Sequence, residues 1–297
     1  MMMSHAGLDI SDDAIHFIEY SGSGNGRKIK KYGRVALPEG LIDGGDVKDE
    51  KKLGDILSVM SREHGLSYAK VSIPEEKAYL FETDIPSAGA RAISQNIEFK
   101  LEENIPLSAA DAVFAFDLLP VEKGKTWRAS VSAVEKSYIE GMMRLLRSAG
   151  IVPMSFETAP RAIARIVSGP AIVVHCMARK TGVYIVSEHA VGFTSTIGVG
   201  AMGADASAHA KALAAEVRRV YTYWLPKSDA SGVPVKRVIV VGLFAERVAE
   251  SLRPVVADIV EVELADVWRA VLDVAKYVPP IVKTDSLEYA SAAGLAL

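Results

Sequence analysis

"VVHCMARKTGVYIV", residues 173–186, decides how this chain is read. An apolar run enters a basic turn and a second apolar run leaves it, which predicts two strands joined by a tight connection. Arg179, Lys180 and Thr181 stand at the tip, with Gly182 directly after. "AIVVHCM" supplies the first strand, "GVYIVS" the second, and "AVGFTSTI" a third after a short link. A long helix follows over about 204–224, with Leu213, Val217, Val220, Tyr221 and Trp224 on one apolar face.

The same order stands earlier, around "GLDISDDAIHFIEY", residues 7–20. "HAGLDI", "AIHFIEY" and "KIKKYGRVAL" read as three strands, the second alternating inward and outward side chains. Their short links, "SDD" and "SGSGNGR", imply antiparallel pairing. A helix is expected at about 49–64, with Leu53, Ile56, Leu57 and Met60 on one stripe and Gly65 as its stop. Hairpin, third strand and helix thus occur twice, roughly 165 residues apart. The pattern predicts two similar α/β lobes facing one another.

The segment between them reads differently. "VSIPEEKAYLFETDIP" holds one or two strands. Ser87 starts a helix carrying Ile93, Ile97 and Leu101; "VFAFDLL" and "WRASVSAV" are strands. "EKSYIEGMMRLLRSAG" is a helix with Ile139, Met142, Met143 and Leu146 on its apolar stripe, ended by Gly150. That order describes a small α+β module. Beyond the second lobe's long helix, "VKRVIVVG" is a buried strand, "LFAERVAESL" a helix with Pro254 beyond it, and "IVEVEL" a strand. "DSLEYASAAGLAL" is a closing helix with Asp285 as N-cap.

Bulk properties bound the function. At 297 residues the chain suggests about two domains. Its 34 basic and 37 acidic residues are well mixed, so nothing points to nucleic acid. The single cysteine, Cys176, excludes an internal disulfide framework and fits a reducing compartment. "MMMSHAGLDI" has no secretion-signal pattern, and no apolar run is long enough to span a bilayer, which predicts a soluble protein.

Several stretches in order carry a resemblance: "GLDISDDAIHFIEY", "EFKLEENIPLSAADAVFAFDLL", "SAGIVPMSFETAPRAIAR", "VIVVGL" and the terminal "ASAAGLAL". Together they resemble the PilM-type pilus assembly proteins and the related cell-division protein FtsA, within the actin-like ATPase superfold. The resemblance covers nearly the whole chain. It implies an α/β, two-lobed actin-like (ribonuclease H-like) fold with an inserted small α+β subdomain. The expected boundaries are 1–74 for the first part of lobe I, 75–153 for the inserted subdomain and 154–170 for a return helix of lobe I. Lobe II then takes 171–283, and 284–297 is a closing helix packing back on lobe I. The implied function is a cytoplasmic adaptor of the type IV pilus inner-membrane platform, peripheral to the inner face of the membrane. It would dock the cytoplasmic tail of a PilN-like membrane protein in a groove between the inserted module and lobe I, and connect to the secretion ATPases. A cytoplasmic domain of a type II secretion platform protein would share the fold; the end of the chain at "GLAL" without a span disfavours it.

The fold's chemistry sets a second expectation. Two hairpins clamp phosphates between the lobes, and their turns need glycine or hydroxyl residues so that backbone N–H groups reach phosphate oxygens. The nucleotide candidates are Asp9, Ser11, Asp12, Asp13, Arg179, Lys180, Thr181, Gly200 and Gly242, with Asp9 holding Mg if ATP binds. The departures are as telling. Ser11 replaces a glycine, and Asp12 and Asp13 replace turn hydroxyls. His175 and Met177 stand where Asp and Gly are expected, and Leu243 and Phe244 where small residues are expected. A carboxylate about 5 Å from a phosphate costs about 3 kcal/mol at an effective dielectric of about 20. The expectation is weak or lost nucleotide binding without turnover, with ATP and Mg still possible. The alternative is an active ATP-binding actin-like protein able to polymerise. A small-molecule kinase is disfavoured because no catalytic Asp appears between His175 and Gly200. Arg179 and Lys180 either grip phosphate or form an exposed basic turn.

For the partner groove the candidates are Leu80, Phe81, Phe114 and Phe116, against the plainer reading that they are module core. "GVGAMG" at 198–203 matches a dinucleotide fingerprint but follows the third strand of an antiparallel set, so it reads as the loop into the long helix. "SGSGNGRK" lacks the ending of a phosphate-binding loop. His175 and Cys176 are adjacent on a strand and point to opposite faces, against a metal site.

Overall fold

The structure is a computed structural model that describes residues 4–86, 90–119, 126–187, 190–202, 206–231 and 234–297. Lobe I opens with Ala6–Ile10 (β1), Ala14–Ser21 (β2) and Lys28–Ala36 (β3), followed by a small hairpin, Ile42–Asp43 (β4) and Asp46–Val47 (β5). Helix Glu50–His64 (α1) comes next. Its N-cap Asp49 accepts a hydrogen bond from the Lys52 N–H, and Gly65 ends it at φ 59°. Strand Tyr68–Ile73 (β6) leads through a 3-10 turn, Glu75–Lys77, into the inserted module.

The module contains Ala78–Pro86 (β7), Ala90–Asn104 (α2), Ala112–Leu119 (β8), Thr126–Glu135 (β9) and Lys136–Ser148 (α3). Its sheet order is β7-β9-β8, antiparallel throughout. The expected start of α2 at Ser87 lies outside the described residues. Ile93, Ile97 and Leu101 are buried against the sheet as the stripe predicts. In α3 the buried face turns by one residue from expectation: Met142, Leu145 and Leu146 are buried, while Ile139 and Met143 are half-exposed.

The chain then returns to lobe I, and here it differs from the sequence reading. Residues 154–170 were expected to be a helix. Instead Val152–Thr158 (β10) is a strand, and only Ala159–Ala164 (α4) is helical. β10 is the outer strand of the lobe I sheet, and its register shifts between Pro153 and Ser155. An edge strand tolerates the proline that would disrupt a central one.

Lobe II comprises Ala171–Cys176 (β11), Thr181–Ser187 (β12), Ala190–Ile197 (β13) and Ala206–Ser231 (α5). It continues with Arg237–Gly242 (β14), Ala245–Val256 (α6), Glu261–Leu264 (β15) and Val267–Val271 (α7). α5 runs through Pro226 to Ser231, beyond the expected end near 224. Pro254 lies inside α6 rather than after it. The carbonyl it leaves unpaired belongs to exposed Glu250, where water can satisfy it.

The repeat is deeper than two hairpins. Lobe I has strand order β10-β6-β1-β2-β3, and lobe II has β15-β14-β11-β12-β13. In each, a central strand pairs antiparallel with the next strand and parallel with a later one. β2 does not alternate as expected: it is buried from Ala14 to Tyr20, because helices cover both faces of this sheet.

The C-terminus closes the molecule. Residues 285–297 were expected as one helix capped by Asp285. They form a 3-10 turn, Asp285–Tyr289, and then a short helix, Ala290–Leu295 (α8). The Asp285 carboxylate accepts from the neighbouring Thr284 hydroxyl instead of capping the backbone. α8 packs backbone to backbone on lobe I: a Cβ on Gly294 would stand 1.9 Å from the Ala162 carbonyl, and one on Gly7 2.0 Å from that of Ala292. The run of alanines and glycine in "ASAAGLAL" is what permits that approach. Among the described residues, no helix is long and apolar enough to cross a membrane.

Candidate functional site

Two concave regions meet at the turn Glu75–Lys77. One is the interlobe cleft, where the two hairpins face each other. Asp9, Ser11, Asp12, Asp13, Lys180 and Gly242 line it together, as the sequence predicts, but the cavity is only about 50 Å³. That is room for a few water molecules rather than a triphosphate.

The groups that would meet phosphate are already engaged. Asp9 is buried and accepts a hydrogen bond from Ser291 of α8 at 2.9 Å. The Ser11 hydroxyl closes its own turn, donating to the Ala14 carbonyl at 2.8 Å. Asp12 accepts the N–H groups of Gly44 and Gly45 at 3.2 and 3.1 Å. These glycines, at φ 57° and 78°, form the left-handed turn of the β4–β5 hairpin and so present both amides to one carboxylate. Asp13 receives the Leu37 N–H at its backbone carbonyl.

The second hairpin is committed in the same way. Lys180 is neither a free phosphate ligand nor an exposed turn residue. Its ammonium bonds the Glu76 carboxylate and stands 3.5 Å from Asp12, with only 13% of its side chain exposed. Arg179 does not line the cavity; it donates to the Ile42 carbonyl at 3.3 Å and lies 3.8 Å from Asp43. Thr181 is buried beneath the hairpin and donates to the Val199 carbonyl at 2.8 Å. Gly200 is pressed against the hairpin backbone, where a Cβ would meet the Ala178 carbonyl at 2.2 Å. At the expected adenosine position, Phe244 adopts φ 54° under the Arg247 guanidinium, 4.7 Å away.

Burial tunes three more groups in this region. It pushes the Glu75 acid up to about 7, with Glu76 adding to the rise. It lowers His175 to about 4 and pushes the Cys176 thiol up to about 12. Among the described residues no three His, Cys, Asp or Glu side chains converge as metal ligands. Mg-ATP does not fit these residues as they stand. The cations are paired, and carboxylates occupy the turns.

The second region lies between lobe I and the inserted module. Its walls are Asp46, Val47 and Glu50 of lobe I, Glu76, Lys77 and Tyr79 at the module's entry, and the side of α3 that borders the lobe I core, with Tyr138, Arg144 and the buried Met142 and Leu145. The groove holds about 340 Å³. Lys77 bonds Asp46 across its floor at 2.5 Å. Burial raises the Tyr138 hydroxyl's pKa, so it remains a neutral donor.

None of the four predicted groove residues lines this groove, but Leu80 and Phe81 line another, of about 530 Å³, between the module's first strand and lobe II. Phe81, Phe114 and Phe116 pack under α2 with Ile97 and Leu101. Leu80 points to the opposite face, toward lobe II. Adjacent strand residues face opposite ways, so Leu80 and Phe81 are separated by the sheet itself. The α3 stripe, read from the sequence wholly as core, also forms one wall of this groove.

Comparison with known proteins agrees with this architecture. The family described as "Type IV pilus assembly protein PilM" matches residues 7–181. No curated protein matches the chain. Among solved structures, a PilM–PilN type IV pilus biogenesis complex superposes with TM-score 0.81 at 19% identity, covering 99% of this chain and 98% of that one. The cytoplasmic domain of EpsL, an inner-membrane component of the Vibrio cholerae type II secretion system, gives 0.51 at 14% identity, covering 97% and 94%. The ethanolamine utilization protein EutJ from Carboxydothermus hydrogenoformans gives 0.51 at 13%, covering 100% and 90%. The fold is therefore the expected two-lobed actin-like one, and with the family matched over more than half its length the chain belongs to the PilM family of type IV pilus assembly proteins.

Proposed function

We propose that this protein is a cytoplasmic adaptor of the type IV pilus inner-membrane platform, docking the cytoplasmic tail of a PilN-like membrane protein in the groove between lobe I and the inserted module. The observation that carries this reading is the groove: about 340 Å³, open, with apolar Tyr79, Leu107, Tyr138 and Met142 between charged walls. Asp46, Glu50, Glu76 and Glu135 outnumber Lys77 and Arg144 there, so the occupant expected is an extended apolar segment carrying positive charge. Family membership supports it, as does the resemblance to a structure solved with PilN. In this reading the protein sits at the inner face of the membrane through its partner, and secretion ATPases are further partners. The interlobe cleft is braced by Asp12, Lys180 and Glu76, so docking proceeds without Mg-ATP.

The test is calorimetry of the full chain with a peptide copying the PilN-like tail from the same genome. Tyr138→Ala should weaken binding by at least tenfold, since it removes a half-buried aromatic from the groove. An unchanged affinity in Tyr138→Ala would place the tail elsewhere. Micromolar binding of Mg-ATP to the unmodified protein would favour the ATP-binding alternative, for which retained Asp9 is the supporting feature.

A further inference from the structure

Glu75 is a half-buried acid, and the fold has taken one of its oxygens, Oε1, out of water. It opens the turn joining lobe I to the inserted module, and its side chain reaches into lobe II. Its Oε2 accepts a hydrogen bond from the Thr196 hydroxyl of β13 at 3.0 Å. Its Oε1 is buried without a hydrogen-bond partner. Gly182 of β12 makes the room, since a Cβ there would stand 2.7 Å from Oε1. The Tyr184 hydroxyl on the same strand is also buried without a partner and lies within electrostatic reach. The Glu75 side chain therefore touches both the interlobe cavity and a small pocket beneath the module.

Desolvation and Glu76 disfavour the charge of this carboxyl and outweigh the Thr196 hydrogen bond and the share of Lys180 that favour it. Within the turn, Glu76 is a second carboxylate. From the lobe II hairpin, Lys180 is the nearest cation, but Asp12 and Glu76 already share it. Across the cleft stand Asp9, His16 and neutral His175. In the pocket below, Arg161 is paired with Asp117 at 2.6 Å. An ionised Oε1 here would lack water, and the group has no counter-ion of its own.

We infer that Glu75 is a proton-set latch between the inserted module and lobe II: as the neutral acid it keeps the turn docked, and on ionising it frees the turn. Docking takes up one proton from solution and release returns it. The docked acid titrates near 7, while a released glutamate has its ordinary value of 4.5. Docking is therefore strongest below 4.5, weakens as pH rises to about 7, and is level above. His175 acts with the opposite sign: its lowered value makes closure weaken as pH falls from 6.5 toward about 4. A comparison with Glu75→Gln cancels the His175 contribution, because both forms carry it.

The experiment places spin labels at exposed Lys100→Cys on α2 and Lys211→Cys on α5 and measures the distance distribution between them. Cys176 is 1% exposed and stays unlabelled. Between pH 5 and 8 the docked-to-released ratio of the parent should fall relative to Glu75→Gln by roughly a hundredfold. The carboxyl 13C resonance absent from Glu75→Gln should titrate near pH 7 in the parent. The inference is overturned by the same pH response in both forms, by no lengthening in the parent, or by a carboxyl midpoint near 4.5.

Discussion

The hairpin β1–β2 and the hairpin β11–β12 occupy the same place in their lobes, yet they are held by different chemistry. In lobe I the end of β1 carries Asp9, tied to Ser291 of the closing helix, and the turn is polar and self-bonded. In lobe II the equivalent strand carries His175 and Cys176, and desolvation keeps both neutral. The two turns then meet each other. Asp12 from the first and Lys180 from the second close the cleft with Glu76. The two turns are complementary to one another in charge. A duplicated backbone plan does not oblige duplicated chemistry, because strand order is set by apolar burial while the turns remain free to diverge.

The largest expected effect is at the closing helix α8, whose Ser291 holds the lobe I hairpin. Gly294→Val should destabilise the protein by about 3 kcal/mol or more, since the new Cβ would meet backbone rather than a mobile side chain. Thermal unfolding checks it; an unchanged midpoint would mean that α8 does not pack as described.

A second comparison separates the two desolvated titrating groups by their sign. His175, lowered to about 4, contributes stability that is present above 6.5 and lost as pH falls toward 4. Glu75, raised to about 7, contributes stability present below 4.5 and lost as pH rises through 7. Between 4.5 and 6.5 the two offset each other in the parent. Relative to it, Glu75→Gln should gain stability with rising pH and His175→Gln should gain it with falling pH. Each difference should slope by about 1.4 kcal/mol per pH unit. Denaturant melts from pH 4 to 8 decide the matter, and slopes of equal sign would refute the assignment.

Adjacent Lys180 and Arg179 sharpen the comparison further. Lys180→Met leaves Asp12 and Glu76 facing each other and should cost about 2 kcal/mol, below the fully buried range because Glu76 is partly exposed. Arg179→Ala should cost under about 0.5 kcal/mol, since its pair with Asp43 is long and exposed. Equal losses in denaturant melts would show that burial does not distinguish them.

Much of the fold was legible. Apolar runs bounded by polar turns marked the strands of both hairpins, helical stripes marked α1, α2 and α3, and Gly65 marked a helix end. β10 was not, because an edge strand interrupted by Pro153 lacks an alternating pattern. The site was less legible. The sequence placed Asp9, Asp12 and Lys180 at one cleft. It could not show that Lys180 finds its partners 168 and 104 residues away in the chain. Nor could it tell that α3's stripe serves a groove as well as a core. Both facts belong to tertiary contact, and local pattern carries no trace of them.

The division between a braced cleft and an open groove is tested most directly by hydrogen exchange of the full chain, with the PilN-like tail peptide and, separately, with Mg-ATP. The peptide should slow exchange in residues 46–50, 77–79 and 137–145, and Mg-ATP should leave residues 9–13 and 177–182 unchanged. Protection of both hairpins by Mg-ATP, with no peptide protection in the groove, would contradict that division.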